Sequence, residues 1–224
     1  MAVAITGAGR TDQGVHALGQ AASFSLDKWK SEISLLGRAL NAKMPGDVSV
    51  TGVREVRAGF NARRDAVSRS YRYSFLLSPV RSPLRERFAY RIEQKPDYPA
   101  MLKAAAIFRG THDFSAFSRG SDGDNWPRRT VSLCALTRSG RYIFMDVEAG
   151  GFLRHMVRHM AAAVMGVGLG YLQIGAIRKS LTGGVRRAPA VMLPPHGLSL
   201  TQVEYKAGIN SKVTRPGIDE IISS

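Results

Sequence analysis

The chain has 224 residues, 44% of them hydrophobic, enough for a substantial core in one large domain or two small ones. Lysine and arginine number 32 against 17 acidic residues, and the net charge of +15 points to a polyanionic partner, nucleic acid first. No apolar run is long enough to span a membrane, the N-terminal residues lack the pattern of a signal peptide, and a single cysteine, Cys134, excludes an internal disulfide framework and disfavours a cysteine metal site. The expected setting is reducing and cytoplasmic.

After the short apolar segment Val3-Ala4-Ile5 comes Gly7-Ala8-Gly9-Arg10-Thr11-Asp12-Gln13-Gly14-Val15-His16-Ala17. Its glycines free the backbone for positive φ and close approach, and a cation, a hydroxyl and a carboxylate lie between them. Such a loop can present Asp12 to a ligand with Arg10 close by. On composition alone it is a turn, with Asp12 an Asx-turn or cap residue. It is not a phosphate loop, because both G-x-G-x-x-G and a closing Lys-Ser/Thr pair are missing.

Gln20 to Leu26 reads as a short strand. Asp27 is a suitable cap for a helix to about Lys43, with Trp29, Ile33, Leu36 and Leu40 on one face. Pro45-Gly46-Asp47 ends it, and Val48 to Val56 alternates as a strand. After Phe60-Asn61-Ala62-Arg63 a second strand, Ser68 to Phe75, places Tyr71, Tyr73 and Phe75 on one face and Arg72 on the other. Ser78 to Arg87 is an exposed basic loop, Phe88 to Ile92 a strand, and Lys95-Pro96-Asp97 the expected boundary between two halves.

The second half opens with a helix, Tyr98 to Phe108, capped by Asp97 with Pro99 in its first turn. His112-Asp113-Phe114-Ser115-Ala116-Phe117 contributes core phenylalanines, and Gly120 to Pro127, around Trp126, is a polar loop. Strands follow at Thr130–Arg138 and Tyr142–Ala149. Gly151 to about Met165 reads as a helix whose apolar face is Leu153, Met156, Val157 and Met160, with Arg154 and Arg158 along one side and His155 and His159 in a parallel row. Two histidines four apart raise a metal question, but Met156 stands where the zinc-protease pattern needs glutamate, so these read as helix-surface histidines. A helix at Gln173–Leu181, basic Arg186-Arg187, a strand at Leu198–Tyr205 and a loose tail complete the chain.

The string G-A-G-R-T-D-x-G-V-H-A resembles the active-site loop of the TruA family of tRNA pseudouridine synthases. Further motifs similar to that family follow in order: the R-x-Y-x-Y strand at Arg69–Tyr73, G-x-H-D-F-x-x-F at Gly110–Phe117, F-L-x-x-M-V-R at Phe152–Arg158, and A-P-x-x-x-x-P-x-x-G-L-x-L at Ala188–Leu200. The resemblance covers about Val3 to Tyr205. It implies an α+β pseudouridine-synthase fold, an antiparallel sheet with helices on one face, in two ferredoxin-like halves: 1–94 with the catalytic loop, 95–205, and a tail at 206–224. It implies isomerisation of uridine to pseudouridine in the anticodon arm of tRNA, without cofactor or metal, by a homodimer. Asp12 is then the catalytic carboxylate and Arg158 its partner. Tyr71 stacks on the uracil, Leu198 lies beneath it, and Arg10 holds a phosphate or fills the gap left by the flipped base.

The sequence departs from the family in two places. Gln13 stands where alanine is usual, and the strand-helix unit that precedes the loop in family members, with its Y-D-G and G-W-Q-type motifs, is missing. That leaves the first half incomplete, with a sheet edge unpaired and apolar surface uncovered; an organellar transit segment lost with it is compatible with the remainder. A non-catalytic RNA-binding module and a pseudouridine synthase acting on another RNA are the competing readings, and a metal-dependent hydrolase a distant third. The set Arg10, Asp12, Tyr71 and Arg158 favours the enzyme, because mere binding does not need a carboxylate facing an anionic RNA.

Overall fold

The computed structural model describes residues 3–26, 29–118, 127–183 and 189–206. They gather in two compact units, one drawn from 3–9, 21–66 and 205–206, the other from 10–20 and 67–204.

The smaller unit holds a two-stranded antiparallel ribbon, β1 (Thr6–Gly7) with β3 (Ala22–Ser23), and helix α1 (Ile33–Asn41). The helix begins later than the periodicity predicts. Trp29 lies before it, with its indole N–H donating to the Glu32 carbonyl at 3.2 Å, and Asp27 is outside the described residues. Leu36 is the buried residue of α1, while Ile33 and Leu35 are exposed. The strand expected at Val48–Val56 does not form. Alternation makes a strand only where a neighbour offers a ladder, and here the Asn41 side chain takes both backbone groups of Val50, donating to its carbonyl at 2.9 Å and accepting its N–H at 2.7 Å. Phe60 to Asp65 is a tight turn: the Asp65 carboxylate accepts the Asn61 N–H, and the Asn61 side chain accepts from Arg63 and Arg64. Tyr205 packs edge-on to Phe60 and donates to the Ala62 carbonyl at 2.8 Å.

The larger unit is built on a seven-stranded sheet. Its strands are β2 (His16–Ala17), β4 (Ala66–Leu77), β5 (Tyr90–Ile92), β6 (Gly110–Asp113), β7 (Arg128–Ser139), β8 (Tyr142–Ala149) and β9 (Leu198–Tyr205). They run in the order β2-β9-β4-β8-β7-β6, with β5 beside β4. The β4–β8, β7–β8 and β6–β7 pairs are antiparallel; the short β2 and β5 add parallel pairs to β9 and β4.

Helices α2 (Tyr98–Ile107), α3 (Met156–Gly168) and α4 (Ile174–Leu181) share one core with this sheet. Alternation along β4 and β8 decides which side chains enter it: Tyr73 and Phe75 with Ile143, Met145 and Val147 are buried against Met101, Met160 and Ile177 of the helices. On the opposite face Arg72 and Asp146, paired in register, make a two-pronged ion pair at 2.7 and 2.9 Å, and Arg72 also lies over the Phe144 ring. Asp97 caps α2 by accepting the Ala100 N–H at 2.9 Å, and Phe108, Phe114 and Phe117 pack ring against ring in the core. The architecture is α+β, a mostly antiparallel sheet with helices, consistent with the pseudouridine-synthase fold.

Helix α3 differs from its expected bounds at both ends. It starts at Met156 rather than Gly151, because His155 takes a left-handed conformation (φ 65°, ψ 2°), and it runs on to Gly168. Arg154 therefore lies exposed outside the helix instead of sharing a side with Arg158, and His155 is in no helical row with His159.

Candidate active site

The loop that carries Asp12 hangs on β9. His16 and Ala17 pair in parallel with Ser199 and Leu200, and the N–H of Leu18 donates to the Leu200 carbonyl at 2.8 Å. Two glycines make this docking possible. Gly14 has φ +81° in a turn closed by the Val15 N–H donating to the Asp12 carbonyl at 3.0 Å. At Gly19 a Cβ would lie 2.5 Å from the Thr201 carbonyl oxygen, so only glycine lets the chain run so close to β9.

This places Asp12 against the first turn of α3. Its Oδ2 accepts from Arg158 Nη1 at 3.0 Å and lies 3.2 Å from His155 Nε2. Arg158 is only 7% exposed, and its Nε donates to the Leu193 carbonyl at 2.8 Å. The guanidinium is thus fixed at two points before any ligand arrives, and its orientation fixes the carboxylate. The Asp12 side chain stays 31% exposed. The N-terminal turn of α3 adds favourable dipolar potential for a negative group held there.

Tyr71 stands on β4, opposite Val147, with its ring edge-on to Phe152 at 5.2 Å. Burial pushes its phenol above the ordinary range; the Arg69 charge opposes this and the Asp12 charge adds to it. The hydroxyl therefore stays protonated near neutrality. Tyr73, two residues on, is buried and donates to the Pro194 carbonyl at 2.8 Å, tying β4 to the segment that also receives Arg158. Arg10 is exposed, two residues before Asp12. Leu198 is buried at the head of β9 within the core. Arg158 and Asp12, 146 residues apart in sequence, are brought into contact.

A second cluster lies at the other end of this segment. His196 has its ring 6.3 Å from Tyr90, and His16 Nε2 sits 3.0 Å from the Arg87 carbonyl with its ring against Phe88. In the basic loop ahead of β5, Glu86 takes part of the charge, pairing with Arg81 and Arg91. Burial lowers the His196 pKa below 6.5, with the His16 and Arg158 charges acting the same way and Glu86 opposing. The folded state therefore prefers the neutral ring. Its contribution to stability is complete above the unfolded value and is lost as pH falls through the folded value. We expect the wild-type melting temperature to drop from about pH 7.5 to about pH 5.5 more steeply than that of His196→Gln, measured by thermal unfolding across that range; parallel curves would refute this assignment.

His155 escapes the sequence reading. Helical periodicity assigns it to an outer row, and nothing in the residue order announces a left-handed kink. The available signal is its position three residues before Arg158, the distance at which two side chains reach one partner at a helix start.

A family profile described as tRNA pseudouridine synthase matches residues 104–206. Proteins named tRNA pseudouridine synthase A align along nearly the whole chain. That of Methylacidiphilum infernorum (isolate V4) is 41% identical over 205 residues, covering 91% of this chain and 80% of the relative. That of Geobacter sp. (strain M21) is 37% identical, covering 90% and 82%, and that of Acinetobacter baumannii (strain ACICU) is 36% identical, covering 91% and 76%. These likenesses settle the lineage: the chain belongs to the TruA family of tRNA pseudouridine synthases.

Proposed function

We propose that this chain converts uridine to pseudouridine in the anticodon arm of tRNA, with Asp12 as the catalytic carboxylate. The observation that carries the reading is the Asp12 carboxylate, held at Oδ2 by a buried arginine with a histidine 3.2 Å away, yet 31% exposed. The reaction breaks the bond from C1′ to N1 and forms one from C1′ to C5; C5 gives up its proton and N1 gains one. It is redox-neutral. What it demands of a protein is an oriented carboxylate and a pocket that holds the base out of its stack.

The remaining residues take supporting parts. Tyr71 offers a ring that a flipped uracil can stack on, and Leu198 supplies an apolar floor. Arg10, exposed and near Asp12, holds a backbone phosphate or occupies the place the base has left. The charge of +15 supplies a general grip on tRNA that weakens as salt rises. A homodimer belongs to the same reading.

The test is an unmodified tRNA transcript with uridines in the anticodon arm, incubated with the chain and mapped by carbodiimide labelling and primer extension. Labelled stops within that arm are expected. Salt-sensitive tRNA binding without any labelled stop would overturn the catalytic reading in favour of a binding module, and stops confined to another RNA would overturn the choice of substrate.

A further inference from the structure

Among the described residues His155 is the one non-glycine with positive φ. Histidine tolerates the left-handed region better than most residues, yet the conformation still costs energy that glycine would avoid. An outlier of this kind, maintained beside a reactive group, points to a task for the side chain. The side chain has one: Nε2 lies 3.2 Å from Asp12 Oδ2, and the ring side chain is 10% exposed. Arg158 Nη1 reaches the same oxygen at 3.0 Å. Both of these contacts fall on Oδ2. Two donors on one oxygen would hold the carboxylate against rotation about its own axis and leave the other oxygen for a substrate.

We infer that His155 is a positioning residue for Asp12: the left-handed turn before α3 exists to bring its imidazole onto Oδ2, so that Oδ1 alone is presented to the uridine. This rests on the proposed function, and it deepens that reading by dividing the two carboxylate oxygens into a held one and a reacting one. A single donor, Arg158, would leave the carboxylate free to swing; the second makes the geometry unique.

The test uses His155→Gly and His155→Gln in the full chain, with tritium release from C5-labelled tRNA as the rate and thermal unfolding as the check on folding. Glycine relieves the backbone, so His155→Gly should melt no lower than wild type. Its kcat should nevertheless fall about 10- to 100-fold, the range expected when one charge-assisted, preorganised hydrogen bond is lost from a catalytic group. KM for tRNA should change less than about twofold, because the RNA grip lies elsewhere. His155→Gln keeps an N–H donor near the position of Nε2 and should recover part of kcat despite a lower melting temperature. That crossed pattern, rate following the donor and stability following the backbone, separates positioning from simple support. Unchanged kcat in His155→Gly, or a loss of rate that tracks melting temperature across both variants, would overturn the inference. An inactive wild type would instead overturn the proposed function.

Discussion

Asp12→Asn should leave the larger unit folded, keep tRNA binding, and reduce pseudouridine formation by at least about 10³-fold, as loss of an essential catalytic side chain does. The amide has the shape of the carboxylate, so the turn closed by the Asp12 carbonyl and the Val15 N–H is undisturbed. An amide oxygen can still accept from Arg158 or His155, but the negative charge is gone and with it the nucleophile or base that the proposed function requires. Stability should fall modestly. Arg158 would keep a buried positive charge with a neutral partner, which in a sealed site costs several kcal/mol, but the 31% exposure of the Asp12 side chain lets water compensate. About 1–2 kcal/mol is expected, a drop of about 2–8 °C in a chain of this size. Binding to tRNA should hold or tighten slightly, since a negative charge facing a polyanion has been removed. The measurements are tritium release, filter binding and thermal unfolding on the same preparation. More than a tenth of wild-type turnover in Asp12→Asn would remove Asp12 from the chemistry.

The parts of the fold that the sequence announces are those whose cause is local. Asp97 followed by Tyr98-Pro99 carries its own cap, and α2 starts there. The alternation of Tyr142–Ala149 and Leu198–Tyr205 finds partners on both sides, and both strands form at those bounds. Val48–Val56 has similar alternation and no ladder to join, so its backbone bonds go to a side chain instead. Periodicity specifies which face a segment would bury; it does not supply the neighbour.

The site shows the same division. The contact between Asp12 and Arg158 spans 146 residues and no spacing rule reaches it; the string of motifs that resembles a family does. His155 lies inside one of those motifs, but its contribution depends on a single backbone angle that its neighbours do not dictate. Gly19 is also silent in sequence, since its requirement comes from the Thr201 carbonyl on a strand far along the chain. Local chemistry names the candidate carboxylate, whereas the groups packed against it become visible only when distant backbone segments meet.

Arg158→Lys should be as revealing as loss of Asp12, because charge is retained while geometry is lost. Arg158 makes two contacts in different directions, Nε to the Leu193 carbonyl and Nη1 to Asp12 Oδ2, from a side chain only 9% exposed. A lysine ammonium is a point donor on a flexible stem and cannot hold both at once. If it follows Asp12, the Leu193 carbonyl loses its partner, at a cost of about 1–3 kcal/mol for a buried acceptor. If it follows Leu193, the carboxylate is left to His155 alone. Either way the orientation loosens, and turnover should fall by about 10² or more, with tRNA binding little changed. Arg158→Met, close in volume and uncharged, should lose at least as much activity. In the Asp12→Asn background, however, it should add less destabilisation than it causes alone, by about 1–2 kcal/mol, since the buried charge it removes no longer has an ionised partner. Thermal unfolding of the two single variants and the double variant measures that coupling directly. Additive destabilisation, together with kcat of Arg158→Lys within about threefold of wild type, would mean that the guanidinium supports the 189–195 segment and not the carboxylate.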